Sequence, residues 1–310
     1  MSRRTNSRSE PVDGLLLLNK PAGLTSNQAL QKVKRLLNAR KAGHTGSLDP
    51  AATGMLPLCF GEATKVCAYL LDADKTYRVT AKLGIATDTG DADGTENATA
   101  AVPELTSEQW TAILAEFRGE SMQVPPMYSA LKKDGKRLYE LARKGEVVER
   151  EPRPIRVDDI SLLEIAGNRL VFRVHCSKGT YVRVLVEDIA KRAGTVAHTA
   201  RLHRETVGAF QADDMLDLTG VEAVAASGSG ALRARLLPPD TALGSMPAVR
   251  LDAEASDRFS AGQEVAALLQ GSAGLVRVYG PDDEFVGVGE LSGDSRLAPR
   301  RVFRTGEKNP

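Results

Sequence analysis

The sequence predicts an α+β fold, a mixed and largely antiparallel sheet flanked by helices, followed by a small C-terminal β-barrel. Two observations carry that expectation. Up to about residue 245, strand-like and helix-like stretches follow one another in mixed order, without the regular β-α-β alternation of a parallel sheet. From about Met246 onward, short apolar runs such as 274–278 and 285–288 are cut by Gly-Pro-Asp and Ser-Gly-Asp turns, which suits a small barrel. The composition agrees: hydrophobic residues make up 42% of the 310 and charged residues 26%, which excludes the disordered, collagen-like and membrane classes.

Taken in order, leucines 15–18 read as a buried strand. Thr25 and Gln28 then make a capping box for a helix whose apolar stripe is Ala29, Val33, Leu36 and Leu37. Residues 43–61 are loop-like and 61–71 helix-like. Residues 76–83 alternate, with Tyr77, Val79, Ala81 and Leu83 on one face, so Tyr77 heads a half-buried strand. Thr106 and Gln109 cap a helix through Phe117, and 137–144 form a short helix stopped by Gly145. Strands at 155–165 and 170–176 flank the turn Ala166-Gly167-Asn168, and a helix from Tyr181 to Arg192 closes at Gly194. The small residues at 225–231 read as a flexible linker, and the pattern changes near Pro238-Pro239. The expected divisions are a disordered tail at 1–12, a main domain at 13–245, the barrel at 246–305 and a disordered tail at 306–310.

No stretch approaches the roughly 20 apolar residues of a membrane helix. The run 15–18 passes straight into Asn19-Lys20-Pro21 without a signal-peptide core, so a cytoplasmic protein with no membrane partner is expected. Cys59, Cys67 and Cys176 form no C-x-x-C pair and read as free, buried thiols. His44, His175, His198 and His203 form no H-x-x-x-H pair, so no metal is expected. The stretch 89–94, T-G-D-A-D-G, begins on Thr89 and lacks a closing Glu at Ala100, so it reads as a polar turn rather than a calcium loop.

Lys plus Arg total 41 and Asp plus Glu total 40, so net charge points to no partner, but distribution does. Lys20, Lys32, Lys34, Arg35, Arg40 and Lys41 precede Asp49 without one carboxylate after Gly14. That is either a solvated helix flank or a basic face for an anionic ligand. A second basic cluster runs through 132–156, whereas 88–108 carries only negative charge and should face away from a polyanion.

The chemistry concentrates in A-G-H-T-G-S-L-D-P-A-A-T-G-M-L-P-L-C-F, residues 42–60, a rigid and mostly apolar stretch with one acid, Asp49. A carboxylate there is costly unless it is paired or used. It either caps its own turn before Pro50 or carries chemistry. His44 either satisfies backbone groups or joins it. No G-x-S-x-G, P-loop or G-x-G-x-x-G occurs, so acyl transfer, nucleotide hydrolysis and hydride transfer lack support.

G-H-T-G-S-L-D-P-A-A-T-G-M-L-P, preceded by L-L-L-L-N-K-P-A-G-L-T-S and followed by G-E-A-T-K, K-T-Y-R-V and S-K-G-T-Y-V-R, resembles the bacterial TruB-type tRNA pseudouridine-55 synthases. The resemblance covers about residues 14–210 in order, and the C-terminal segment resembles the PUA-like RNA-binding domain this family often carries. Ser47 and the polar N-terminal extension depart from the pattern without touching the acid. The resemblance implies a pseudouridine synthase fold and an isomerase that converts uridine 55 in the T loop of tRNA. It needs no cofactor, because reactant and product are isomers, and a monomer acting on tRNA is expected. Asp49, Tyr77 and Arg183 are then the catalytic residues: Arg183 holds Asp49 ionised, and the Tyr77 ring meets the uracil with its hydroxyl assisting proton transfer from C5. His44, Tyr181, Leu202 and Lys20 contact substrate, Lys20 either bracing the loop or touching RNA. Asp49 has three open routes: attack at C1′, attack at C6, or removal of the C2′ proton to give a glycal. Two other readings compete. One is a tRNA-binding or folding factor with a structural Asp49; the other is a hydrolase pairing Asp49 with His44, which lacks a second carboxylate or oxyanion motif.

Overall fold

The computed structural model describes residues 9–267 and 273–303. The tails expected at 1–8 and 306–310 lie outside the described residues. Residues 9–12, expected in the N-terminal tail, are placed: Glu10 exchanges backbone hydrogen bonds with Asn38 and Arg40 (2.9 and 3.0 Å), and Val12 is buried.

In chain order the main domain begins with β1 (Gly14–Lys20), α1 (Ser26–Leu36), β2 (Ala42–His44), β3 (Thr53–Phe60), α2 (Cys67–Asp72) and β4 (Lys75–Leu83). The hairpin β5 (Ile85–Thr87) and β6 (Glu96–Thr99) follows, then α3 (Ser107–Ala115) and β7 (Gly119–Gln123). A small hairpin of β8 (Lys132–Lys133) and β9 (Lys136–Arg137) leads into α4 (Leu138–Ala142). The domain then adds β10 (Arg153–Ala166), β11 (Arg169–Cys176), α5 (Val182–Arg192), β12 (Ala197–Val207), β13 (Leu216–Asp217), α6 (Leu218–Ala226) and α7 (Ser229–Arg233). One sheet runs in the order β13-β1-β3-β12-β4-β11-β10-β7, with β2 on β3; it is antiparallel except where β1 meets β13 and β3 meets β12. The mixed, largely antiparallel sheet is the one its sequence predicts.

The four leucines of β1 are explained by cover on both faces. Leu16 and Leu18 join Ala29 and Val33 of α1 in one core cluster, while Leu15 and Leu17 join Ala63, Val66 and Leu70 in another. Two stretches differ from expectation. Residues 43–61, read as loop because of their glycines and prolines, contain β2 and the whole of β3. A Cβ on Gly54 would lie 2.2 Å from the Arg204 carbonyl oxygen, so the glycine is there for close strand approach and not for a turn. Residues 225–231, read as linker, take in the end of α6 and the start of α7 with only Ser227 and Gly228 between them, and Leu232 with Val221 is buried against the α1 core. Their small side chains let two short helices pack closely.

β12 is the structural hinge between the two halves of the sheet. Its polar sequence, A-H-T-A-R-L-H-R-E-T-V, hides it from a hydrophobic pattern. It pairs with β3 in parallel (His203 opposite Thr53, Arg204 opposite Gly54) and with β4 antiparallel (Arg204 opposite Tyr77). That pairing brings the end of the Asp49 loop beside Tyr77.

The C-terminal unit comprises β14 (Ala248–Arg250), α8 (Ala253–Ser260), β15 (Val265–Ala266), β16 (Gly274–Tyr279), β17 (Phe285–Leu291) and β18 (Arg296–Val302). They form a curled half-barrel in the order β14-β16-β17-β18-β15 rather than a closed barrel; its two edge strands are unpaired with each other among the described residues. Phe259 of α8 plugs its concave side, and Val288 and Phe303 insert into the main domain's core with Leu17 and Met55.

Candidate active site

The Asp49 loop is fixed from both ends. Ser26, at the start of α1, donates its hydroxyl to the Leu48 carbonyl (3.1 Å) and accepts from the Leu48 N–H (2.8 Å). The Lys20 ammonium donates to the carbonyls of Pro21, Leu24 and Pro50 at 2.9, 2.8 and 3.2 Å. On the other side, Arg204 of β12 donates through Nε to the Met55 carbonyl (2.7 Å) and through Nη2 to the Gly46 carbonyl (2.9 Å). Gly46 has φ +66°, and a Cβ there would sit 3.3 Å from Arg204 Nη1, so only glycine lets the guanidinium lie against the loop. Asp49 therefore projects from a backbone held by buried cations on carbonyl oxygens.

Arg183, in the first turn of α5, faces it. Its Nε is 3.1 Å from Asp49 Oδ2; Nη1 donates to the Thr89 carbonyl (2.7 Å) and is 3.5 Å from Asp91 Oδ2; Nη2 donates to the Tyr128 carbonyl (2.7 Å). Only 7% of the Arg183 side chain is accessible, against 46% for Asp49, so the guanidinium is a fixed wall and the carboxylate opens on the cleft. The entry to α5 is set by Gln123, whose amide bonds both the N–H and the carbonyl of Tyr181 (2.8 and 3.1 Å).

Asp49, Tyr77, Tyr181, Arg183 and Leu202 line one cavity of about 310 Å³, together with Lys75, Ser129 and Arg204. A larger hollow of about 480 Å³, beside Tyr69, His175 and Phe210, holds none of these residues. Burial raises the Asp49 carboxyl above the usual carboxylate range; Arg183 opposes this, while Asp91 and Asp93 add to it. The guanidinium thus moderates the cost of the anion without cancelling it. Burial also pushes the Tyr77 phenol up, brings the Lys20 ammonium down to about 8, and lowers His44, with Arg204 adding to the last.

Five of the seven residues singled out from the sequence therefore meet. Lys20 does not line the cavity: it is fully buried beneath the loop with three carbonyls around its ammonium, an arrangement that fits the bracing alternative. His44, on β2, lies outside the cavity lining, and its Nδ1 is enclosed without a hydrogen-bond partner. The acidic stretch expected to face away from the ligand instead sends Asp91 and the Thr89 carbonyl to Arg183. Sequence reasoning does not find Asp91, Arg204 or Gln123. An acid in a glycine-rich turn and an arginine in a polar strand carry no local signal; only the strand register reveals them. One group of potential metal ligands occurs among the described residues, Asp74, Asp158 and His175. It lies outside the cavity, with Arg156 bonded to both carboxylates at 3.0 and 2.7 Å.

The sheet is that of the pseudouridine synthases. It superimposes on the chain of a Cbf5-Nop10-Gar1 complex with a TM-score of 0.74 at 27% identity, covering 94% of this chain and 85% of that one. The TruB family pseudouridylate synthase N-terminal domain matches residues 34–182, the tRNA pseudouridylate synthase B C-terminal domain matches 183–244, and the pseudouridine synthase II TruB C-terminal domain matches 247–303. The tRNA pseudouridine synthase B of Stutzerimonas stutzeri (strain A1501) is 50% identical over 95% of this chain and 96% of its own length. That of Ectopseudomonas mendocina (strain ymp) is 51% identical over 95% and 96%. The chain belongs to the TruB family of pseudouridylate synthases.

Proposed function

We propose that this protein is a tRNA pseudouridine synthase that isomerises uridine 55 of the T loop. It acts in the cytoplasm as a monomer, with no metal or other cofactor. The observation that carries this reading is Asp49, 3.1 Å from the Arg183 guanidinium, at the edge of a cavity of about 310 Å³ shared with Tyr77. The reaction breaks the C1′–N1 bond, turns the uracil and rejoins it through C5, so atoms and electrons balance within the substrate. Asp49 supplies the anion that meets the nucleoside, and Arg183 stabilises it without occupying the space in front of it.

The base must leave the RNA stack to reach this cavity, which costs a few kcal/mol. The Tyr77 ring and Leu202 line the cavity and offer apolar surface that offsets part of this loss, and the Tyr77 hydroxyl assists transfer of the C5 proton. Tyr181 and His44 hold neighbouring nucleotides. The tRNA backbone is gripped by the exposed Lys132, Lys133, Lys136, Arg137, Arg143 and Lys144 around the β8–β9 hairpin and α4, and the C-terminal half-barrel offers the RNA a second surface.

The test is to incubate unmodified tRNA transcript with the purified protein, without added cofactor, and map pseudouridine by chemical probing. Pseudouridine at position 55 is expected. Its absence, or modification elsewhere, would overturn the proposal.

A further inference from the structure

Arg204 is 1% exposed, and among the described residues it forms no ion pair with a carboxylate. A buried cation whose hydrogen bonds go to neutral carbonyls is held at an energetic cost, and a neutral donor would serve those carbonyls as well. Its location suggests why the charge is there. Arg204 stands directly opposite Tyr77 in the β12–β4 ladder, so the two side chains share a face as nearest cross-strand neighbours. It is also opposite Gly54 in the β12–β3 ladder, and it bonds the carbonyls of Gly46 and Met55 on either side of Asp49.

We propose that Arg204 is a positioning residue that ties the Tyr77 hydroxyl to the backbone of the Asp49 loop, fixing the distance between carboxylate and phenol across the cavity. The inference rests on the isomerase reading and extends it. Tyr77 is faced by Arg204 from β12, by Asp49 from the loop and by Cys176 from β11, and of these only Arg204, its direct cross-strand neighbour, favours the ionised phenol. The cation therefore opposes the upward push of burial on the group that handles the proton. A guanidinium suits the task because its planar fork serves two carbonyls and still has a donor left.

Two variants of the full-length protein test this. Arg204→Gln keeps an amide donor and removes the charge; Arg204→Lys keeps the charge and removes the fork. Single-turnover pseudouridine formation on tRNA transcript should fall roughly 10- to 100-fold in both, as expected for a small misplacement of reacting groups, with tRNA affinity within about threefold. In Arg204→Gln the Tyr77 phenol, followed by ultraviolet difference titration against Tyr77→Phe, should ionise at higher pH than in the wild type. Unaltered rates would overturn the inference. So would a lost rate with an unmoved Tyr77 titration, or loss of the fold in both variants, each of which makes Arg204 a brace alone. The wild type separates the two levels: no turnover by it sinks the isomerase reading, whereas turnover with unaltered variants sinks only the role of Arg204.

Discussion

The two flanks of the Asp49 loop use cations in opposite ways. On the sealed flank, Lys20 and Arg204 are almost wholly buried and bond backbone carbonyls, which fixes the chain without neutralising any side chain. On the open flank, Arg183 meets a carboxylate that is nearly half accessible and keeps Asp91 as a second, looser partner. The first arrangement builds rigidity and the second manages a charge that must stay reactive. Substitutions of Arg183 and Lys20 should therefore separate: Arg183 variants should lose rate before stability, and Lys20 variants stability before rate, whereas Arg204, which also faces Tyr77, should lose rate as well.

Of the cations on the two flanks, the largest effect on rate is expected from Arg183→Lys, which keeps the charge but cannot span Asp49, Thr89 and Tyr128 together. Single-turnover rate should fall about 10²- to 10³-fold, the usual loss when a preorganised electrostatic group is removed, while tRNA affinity changes little in a filter-binding assay. A rate within threefold of wild type would remove the distinction between the flanks. Lys20→Met should instead strand three carbonyls, costing about 2–3 kcal/mol of stability, read as a lower urea midpoint with an unchanged slope. An undiminished midpoint would show that the sealed flank is not a brace.

Two smaller effects sharpen the picture. Replacing Lys132, Lys136, Arg137 and Lys144 with Gln should weaken tRNA binding and flatten its salt dependence by roughly one unit of slope for each phosphate no longer neutralised; the same slope would move the grip elsewhere. Asp93→Asn leaves Arg183's partners in place and removes a negative charge that raises the Asp49 carboxyl. Asp49 acts as an anion, so the rate is lost as pH falls through its value, and that acid limb should shift to lower pH in the variant. An unmoved limb would mean that another group titrates there.

Much of this was legible in the sequence because it is written locally. Alternation places Tyr77 on the inner face of β4, the Thr25–Gln28 box starts α1, and the glycine-rich, acid-poor stretch singles out Asp49. What escaped is non-local. β12 carries His198, Arg201, His203 and Glu205 in its interior and so lacks an apolar pattern, although it is the strand that delivers both Leu202 and Arg204. The whole of β3 was hidden by Gly54 and Pro57, whose reasons lie in neighbouring strands. For Lys20 the choice between bracing the loop and touching RNA stayed open in the sequence, because a lysine buried on three carbonyls cannot be told from an exposed one by its neighbours.

The reading as a whole turns on whether the Asp49 oxygen performs chemistry or merely closes a turn, and Asp49→Asn asks this with the least disturbance. Single-turnover assays on tRNA transcript should show pseudouridine formation reduced by about 10⁴-fold or more, with tRNA affinity and urea midpoint close to wild type. A variant that still converts uridine within tenfold of the wild-type rate would contradict the account.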